Sequence, residues 1–183
     1  MAKKSSSKKA SPAKKRSASR SPKENLEEIM TDMLKDIYWA EHHLAKALPK
    51  LSKAAQHPQL KKAFDKHTLE TRKQIEMLDK CFAALGKKAQ GIKCDAMAGL
   101  VKEGQSAIED HDRGNARDAA LIAESQKAEH YEISTYGSLR TMATVLGYKS
   151  CAAIFEKIKD QEASTDEALT RLAETINQLA AND

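Results

Sequence analysis

Four long stretches of the chain place apolar side chains at alternating steps of three and four. That is the spacing by which one face of an α-helix meets a helical partner. The first, about residues 24–48, puts Leu26, Met30, Met33, Ile37, Glu41, Leu44 and Leu48 on one seam, and Pro49 is expected to end or kink it. His57-Pro58 marks a turn, because the residue before a proline is pushed away from the helical region. The second stretch, about 58–85, reads Leu60, Phe64, His67, Glu70, Gln74 and Leu78, continues through Phe82 and Leu85, and stops at Gly86. The third carries Ile122, Ser125, Glu129, Glu132, Tyr136, Leu139, Ala143 and Leu146 and closes at Gly147. The fourth, about 150–181, carries Phe155, Ile158, Glu162, Thr165, Leu169, Leu172, Ile176 and Leu179. Between the second and third, residues 86–117 read as a loop, a shorter amphipathic helix over about 95–110 and a turn at Asp112–Asn115. Met97, Leu100, Val101, Gly104 and Ile108 would face inward on that shorter helix.

The seams are interrupted by acids. Glu41 breaks the first, Glu129 and Glu132 the third and Glu162 the fourth, with Asp166 one turn further along the same side. On the second, three successive positions are polar: His67, Glu70 and Gln74. A carboxylate buried between helices costs several kcal/mol unless it is neutralised, where an apolar side chain would contribute roughly 1.5–3 kcal/mol. The halves of the chain also echo each other. Ala40-Glu-His-His43 matches Ala128-Glu-His-Tyr131, and Phe64 to Glu70 resembles Phe155 to Glu162. Two helix pairs packed about a pseudo-two-fold axis would bring Glu41, Glu70, Glu129 and Glu162 to one level of the core. Four carboxylates converging in low dielectric repel unless protonated or bridged by cations. Two metal ions are the usual answer, and an oxygen-rich ligand set suits iron or manganese. The competing reading is that these carboxylates pair with Lys or Arg.

Charge divides the chain in two. Residues 1–23 hold nine Lys/Arg and no acid, so the remaining residues hold 22 basic against 26 acidic groups. The arm is built from Lys, Arg, Ser, Ala and Pro, too little apolar surface to offset ordering entropy, and is expected to be disordered. Its composition resembles the tails of linker histones and DNA-binding mini-ferritins. Lys3, Lys4, Lys8, Lys9, Lys14, Lys15, Arg16 and Arg20 are the candidates for sequence-independent attraction to nucleic-acid phosphates. The domain organisation is therefore an arm over 1–23 and one helical domain over 24–183. Cys81, Cys94 and Cys151 are odd in number and widely spaced, against a disulfide framework and for a reducing cytoplasm. No apolar run approaches the roughly 20 residues that span a bilayer, and the basic start lacks the apolar region of a signal peptide. No membrane partner is expected. The expected location is cytoplasmic, and at the nucleoid if the arm holds DNA.

Residues 26–175 resemble the YciE/YciF family of ferritin-like proteins, also known as DUF892. The matching runs are Asp36 to Pro49, with its Tyr-Trp-Ala-Glu-His-His core, Phe64 to Thr71 with Gln74, Cys94 to Leu100, Gln126 to Gly137, and Glu162 to Asp166. The resemblance implies an all-α fold: a ferritin-like antiparallel four-helix bundle with a long helical crossover between helices 2 and 3. It also implies a ligand set for two Fe ions, a ferroxidase label with Fe(II) and O2 or H2O2 as reactants, a stress role and a homodimer. The usual signature is a Glu plus a Glu-x-x-His in each helix pair. Here Lys73 and Thr165 stand where those histidines would fall. His67 would supply the nitrogen from one turn earlier, Asp166 would serve the other metal, and Glu132 resembles the extra glutamate of rubrerythrin-type sites. Gln74 is expected beside the ligands rather than among them.

His42, His43 and His130 lie one or two residues from seam glutamates and should face elsewhere. Tyr38, Trp39, Tyr131 and Tyr136 are expected to pack in the core, and the cysteines to act as small buried apolar residues. Three functions follow: a non-haem di-iron oxidoreductase, a DNA-associated stress protein whose bundle is a scaffold, and a metal-free helical interaction module.

Overall fold

A computed structural model describes residues 21–182. Five helices account for most of them, with no strand among the described residues: α1 (Pro22–Ala54), α2 (Pro58–Ala84), α3 (Asp95–Asp110), α4 (Asn115–Leu146) and α5 (Lys149–Ala180). Residues 1–20 of the expected arm, with all eight of its candidate phosphate-binding side chains, lie outside the described residues. Lys23, placed in the arm by charge, is in the first turn of α1. That helix begins earlier than its apolar seam because Ser21 and Glu24 cap each other's backbone. Ser21 N–H donates to Glu24 Oε2 at 2.7 Å and Glu24 N–H donates to Ser21 Oγ at 3.3 Å, two otherwise unpaired donors satisfied together. Pro22 follows at the first helical position, where its missing N–H costs nothing.

At its other end α1 runs through Pro49 to Ala54 instead of stopping there. The turn beyond the proline has partners of its own. Leu51 packs against the core and Ser52 Oγ donates to Asp65 Oδ1 of α2 at 2.7 Å. These ties offset the lost backbone bond that a proline imposes.

α1 packs against α2 and α4, α2 also packs against α5, and α4 packs against α5. The four long helices therefore close a ring around one core, with α3 laid on α1 and α4 from outside. Two tight turns form its helix pairs. Residues 55–57 join α1 to α2, and Gly147, left-handed at φ 87°, ends α4 so that Tyr148 N–H can donate to Ala143 O at 2.8 Å. Asp118 ties the first turn to the start of α4. Fully buried, its carboxylate accepts from the backbone N–H of Gln56 at 2.8 Å and of His57 at 2.6 Å.

The seam of α4 is buried at every expected position, glutamates included. On α2 the pattern takes the other branch of its three-four alternation. After His67 the buried residues are Thr68 and Thr71, then Gln74 and Leu78, so Glu70 falls to the flank. Leu179, expected inward, is exposed where α5 outruns its partners. Met97, Gly104 and Ala107 form the buried face of α3, with Leu100, Val101 and Ile108 packed at its edges. The segment leaving α2 lies directly on α1: Ile92 N–H donates to Lys35 O at 3.2 Å. A Cβ at Gly91 would sit 2.9 Å from Trp39 Cβ and 3.1 Å from its Cα. No helix among the described residues is long and apolar enough to cross a membrane.

Candidate metal centre

Each long helix delivers polar side chains to the middle of the ring. From α2 come His67 and Gln74, from α4 Glu129, Glu132 and Tyr136, from α5 Glu162 and from α1 Glu41, all of them buried. His67, Glu129, Glu132 and Glu162 can each offer one ligand atom such that all four atoms lie within 4.8 Å of one another. His67 Nε2 stands 3.3 Å from Glu129 Oε1, and its Nδ1 3.8 Å from Glu162 Oε2. Gln74 Nε2 donates to Glu162 Oε1, and the Tyr136 hydroxyl donates to Glu41 Oε1. Glu41 and Glu132 each act on the other's proton affinity, which links Glu41 to the cluster.

Protonation follows from this crowding. Burial pushes Glu41 up to about 8, with repulsion from Glu162 adding to it and the bonds from Tyr136 and Glu132 opposing. Glu162 rises to about 7, mainly by burial, against the lowering effect of bonds from Glu129 and Gln74. Burial and then acidic neighbours hold Glu129 and Glu132 well above the usual carboxylate range. His67 is driven down to about 4 by burial and then by Lys66, so its imidazole is neutral at pH 7. The Tyr136 phenol, raised by burial and by Glu41, keeps its proton.

These groups fit a metal. Glu41 Oε2, Glu129 Oε2, Glu132 Oε2, Glu162 Oε2 and both His67 nitrogens are buried without a hydrogen-bond partner. Such orphaned atoms are rare in a folded core unless something else satisfies them. No Lys or Arg among the described residues pairs with these four glutamates. Three or four carboxylates with one neutral imidazole make a hard, oxygen-rich donor set.

The remaining candidates sit around this cluster. Glu70 is partly exposed on the flank of α2 and pairs with Lys66 at 2.8 Å. Asp166 is also partly exposed. It accepts from Gln126 Nε2 at 2.9 Å and lies 3.5 Å from His130 Nε2. Neither belongs to the four clustered groups. His43 stacks on Trp39, with ring centroids 4.5 Å apart, and His42 meets Tyr38 edge-on, both away from the cluster. The contribution of Tyr136 exceeds core packing: its place one turn past Glu132 on the same seam was the signal that its hydroxyl would reach the acids. All three cysteines are buried and free.

Residues 25–182 match the family described as Domain of unknown function, DUF892. The chain belongs to that family. Among DUF892 relatives, Protein YciF of Escherichia coli K12 is 41% identical over 159 residues, covering 86% of this chain and 96% of its own. The crystal structure of the E. coli stress protein YciF superposes with a TM-score of 0.81 at 40% identity, covering 84% of this chain and 97% of that one. YcfI from Rhodopseudomonas palustris gives 0.76 at 38% identity, covering 79% and 92%. A Xanthomonas campestris protein at 22% identity, covering 86% and 96%, shares the fold at 0.70.

Proposed function

We propose that this DUF892 protein is a stress-linked, non-haem di-iron oxidoreductase that oxidises Fe(II) with O2 or H2O2 in the core of a ferritin-like bundle. In this reading the segment from residue 85 to residue 114, with α3, is the crossover between the two helix pairs. The observation that carries it is the set of orphaned buried oxygens around His67. A core that held only protons there would bear several uncompensated polar atoms. His67, Glu129, Glu132 and Glu162 would hold the metal, with Glu41 alongside and Asp166 and Glu70 at the margins. Paired iron would supply two one-electron couples for reduction of a single oxidant.

The side chains have separable tasks. His67 offers a lone pair because burial keeps it neutral. Gln74 fixes one oxygen of Glu162 and leaves the other free. Tyr136 holds a proton against Glu41, a hydrogen-bonded proton store beside the acids. The ring of helices keeps water from competing for the carboxylates. Manganese is the alternative occupant, since ligand type does not separate it from iron.

Titration of anaerobic apoprotein with Fe(II), followed by admission of oxidant, tests this reading. Binding should saturate near two ions per chain, and oxidation should outpace that in buffer. Absence of either sinks the assignment.

The arm supports a second activity. Eight basic residues and no acid over 1–20 suit non-specific duplex binding. Counterion release then limits the slope of log affinity against log salt to about −7. Truncation after residue 20 spares the Ser21 cap and should abolish duplex retardation. Equal binding by the truncated protein would remove the arm from the account.

A further inference from the structure

The three cysteines are far apart in sequence, but the fold brings two of them together. Cys81 lies in the last turn of α2 and Cys151 in the first turn of α5. Both are fully buried in the interface between those helices. Cys151 Sγ donates to the carbonyl oxygen of Cys81 at 3.9 Å. Each thiol is also the largest influence on the proton affinity of the other. The Cys151 sulfur thus lies against the backbone of the residue whose sulfur it would join.

The two sulfurs are not equivalent. Cys151 is lowered to about 7, first by the thiol of Cys81 and further by Ser150 and its own backbone N–H. It sits at a helix N-terminus, where unpaired N–H groups stabilise a thiolate. Cys81, near a helix C-terminus, is pushed upward by the neighbouring Cys151 thiol and by burial. One partner is therefore set to attack and the other to hold its proton. Cys94 offers an internal contrast. Its sulfur accepts from Met97 N–H at 3.4 Å and lies 3.1 Å from the Tyr131 hydroxyl, with no thiol partner.

We propose that Cys81 and Cys151 are an oxidative modification site, converted by hydrogen peroxide into an intramolecular disulfide that staples α2 to α5. In the first step the Cys151 thiolate attacks one peroxide oxygen, the O–O bond breaks, and the departing hydroxide takes up a proton to become water. This leaves a sulfenic acid on Cys151. In the second step the Cys81 sulfur attacks that sulfur. The S–O bond breaks, and the hydroxide leaves as water with the Cys81 proton. Two thiols lose two electrons in all, and one peroxide becomes two waters. A thiol or dithiol reductant reverses it. The bond would close a loop 70 residues apart in sequence, joining the two halves of the chain.

This site is separate from the metal reading and is tested in the presence of a chelator, so either can fail alone. Reduced full-length protein is exposed to hydrogen peroxide, then denatured, alkylated and mapped by mass spectrometry. Alkylatable thiols should fall from three to one, with a Cys81–Cys151 peptide pair lighter by two hydrogens and released by dithiothreitol. Cys94→Ser should leave that pair unchanged. Cys81→Ser should abolish it and leave a sulfenic acid on Cys151 that dimedone traps. Persistence of three thiols, or a crosslink formed through Cys94 or between two chains, overturns the proposal.

Discussion

Glu41 and Glu162 hold protons in the folded chain that they would release when unfolded. Their folded values, about 8 and about 7, lie above the ordinary 4.5. Between those limits the native state binds more protons than the unfolded one, so stability falls as pH rises. His67 acts in the opposite sense. Lowered from 6.5 to about 4, it resists a proton that the unfolded chain accepts, and its contribution is lost as pH falls through that interval. Above pH 6.5 the carboxylate effect dominates, opposed toward pH 8 by the single Cys151 thiol, which is lowered from 9.0 to about 7. Metal-free protein should therefore lose stability from pH 6.5 to 8, at up to about 1.4 kcal/mol per pH unit for each such group. Denaturant midpoints at the two pH values measure it, and a midpoint that holds or rises would contradict buried, unpaired acids. Metal-loaded protein should show a flatter profile, because its ligands are already deprotonated. Much of this site is legible from spacing. His67, Glu129, Glu132 and Glu162 each fall on a seam that the fold buries. Glu70 does not, because steps of three and four from His67 lead equally well to Glu70 or Thr71. Only the packing of α2 against its neighbouring helices chooses the threonine.

Among the elements, α1 shows what local signals can and cannot say. The Ser21-Pro-Lys-Glu24 cap is written in the sequence, yet basic composition disguises it as part of the arm. Pro49 carries a strong local instruction to stop, which Ser52 and Asp65 override from another helix. Such tertiary compensation has no signature at the proline itself. The α1–α2 turn depends likewise on a distant residue, since Asp118 of α4 receives both of its exposed backbone donors. Asp118→Ala would leave the part-buried N–H groups of Gln56 and His57 without that partner, at about 1–3 kcal/mol. The urea midpoint should drop with an unchanged slope. An unaltered midpoint would mean that water replaces the carboxylate without loss.

At the scale of the whole molecule, the ring of four helices places folding and function in opposition. An acid in the seam weakens the core, protonated or not, and in the proposed function a bound cation would reverse that. Glu129→Leu should raise the stability of the metal-free protein by about 1–4 kcal/mol. It should also remove the stabilisation that added metal confers, about 2.7 kcal/mol at a hundredfold excess over Kd. Thermal melts with and without metal separate the two effects; a variant still stabilised by metal would show that Glu129 is not a ligand. Helix number, the central acids and the intervening short helix can all be read from periodicity. Which helices are neighbours cannot, because every seam looks alike until packed.

The close approach of Gly91 to Trp39 has a consequence for how this scaffold can vary. A single added methyl at 91 would press on Trp39 and the main chain of α1, where backbone has little room to give. The segment between α2 and α3 would have to lift, carrying with it the anchor of Ile92 on Lys35 and the point where α3 sets out along the bundle. One hydrogen atom in place of a carbon thus decides where the outer helix lies.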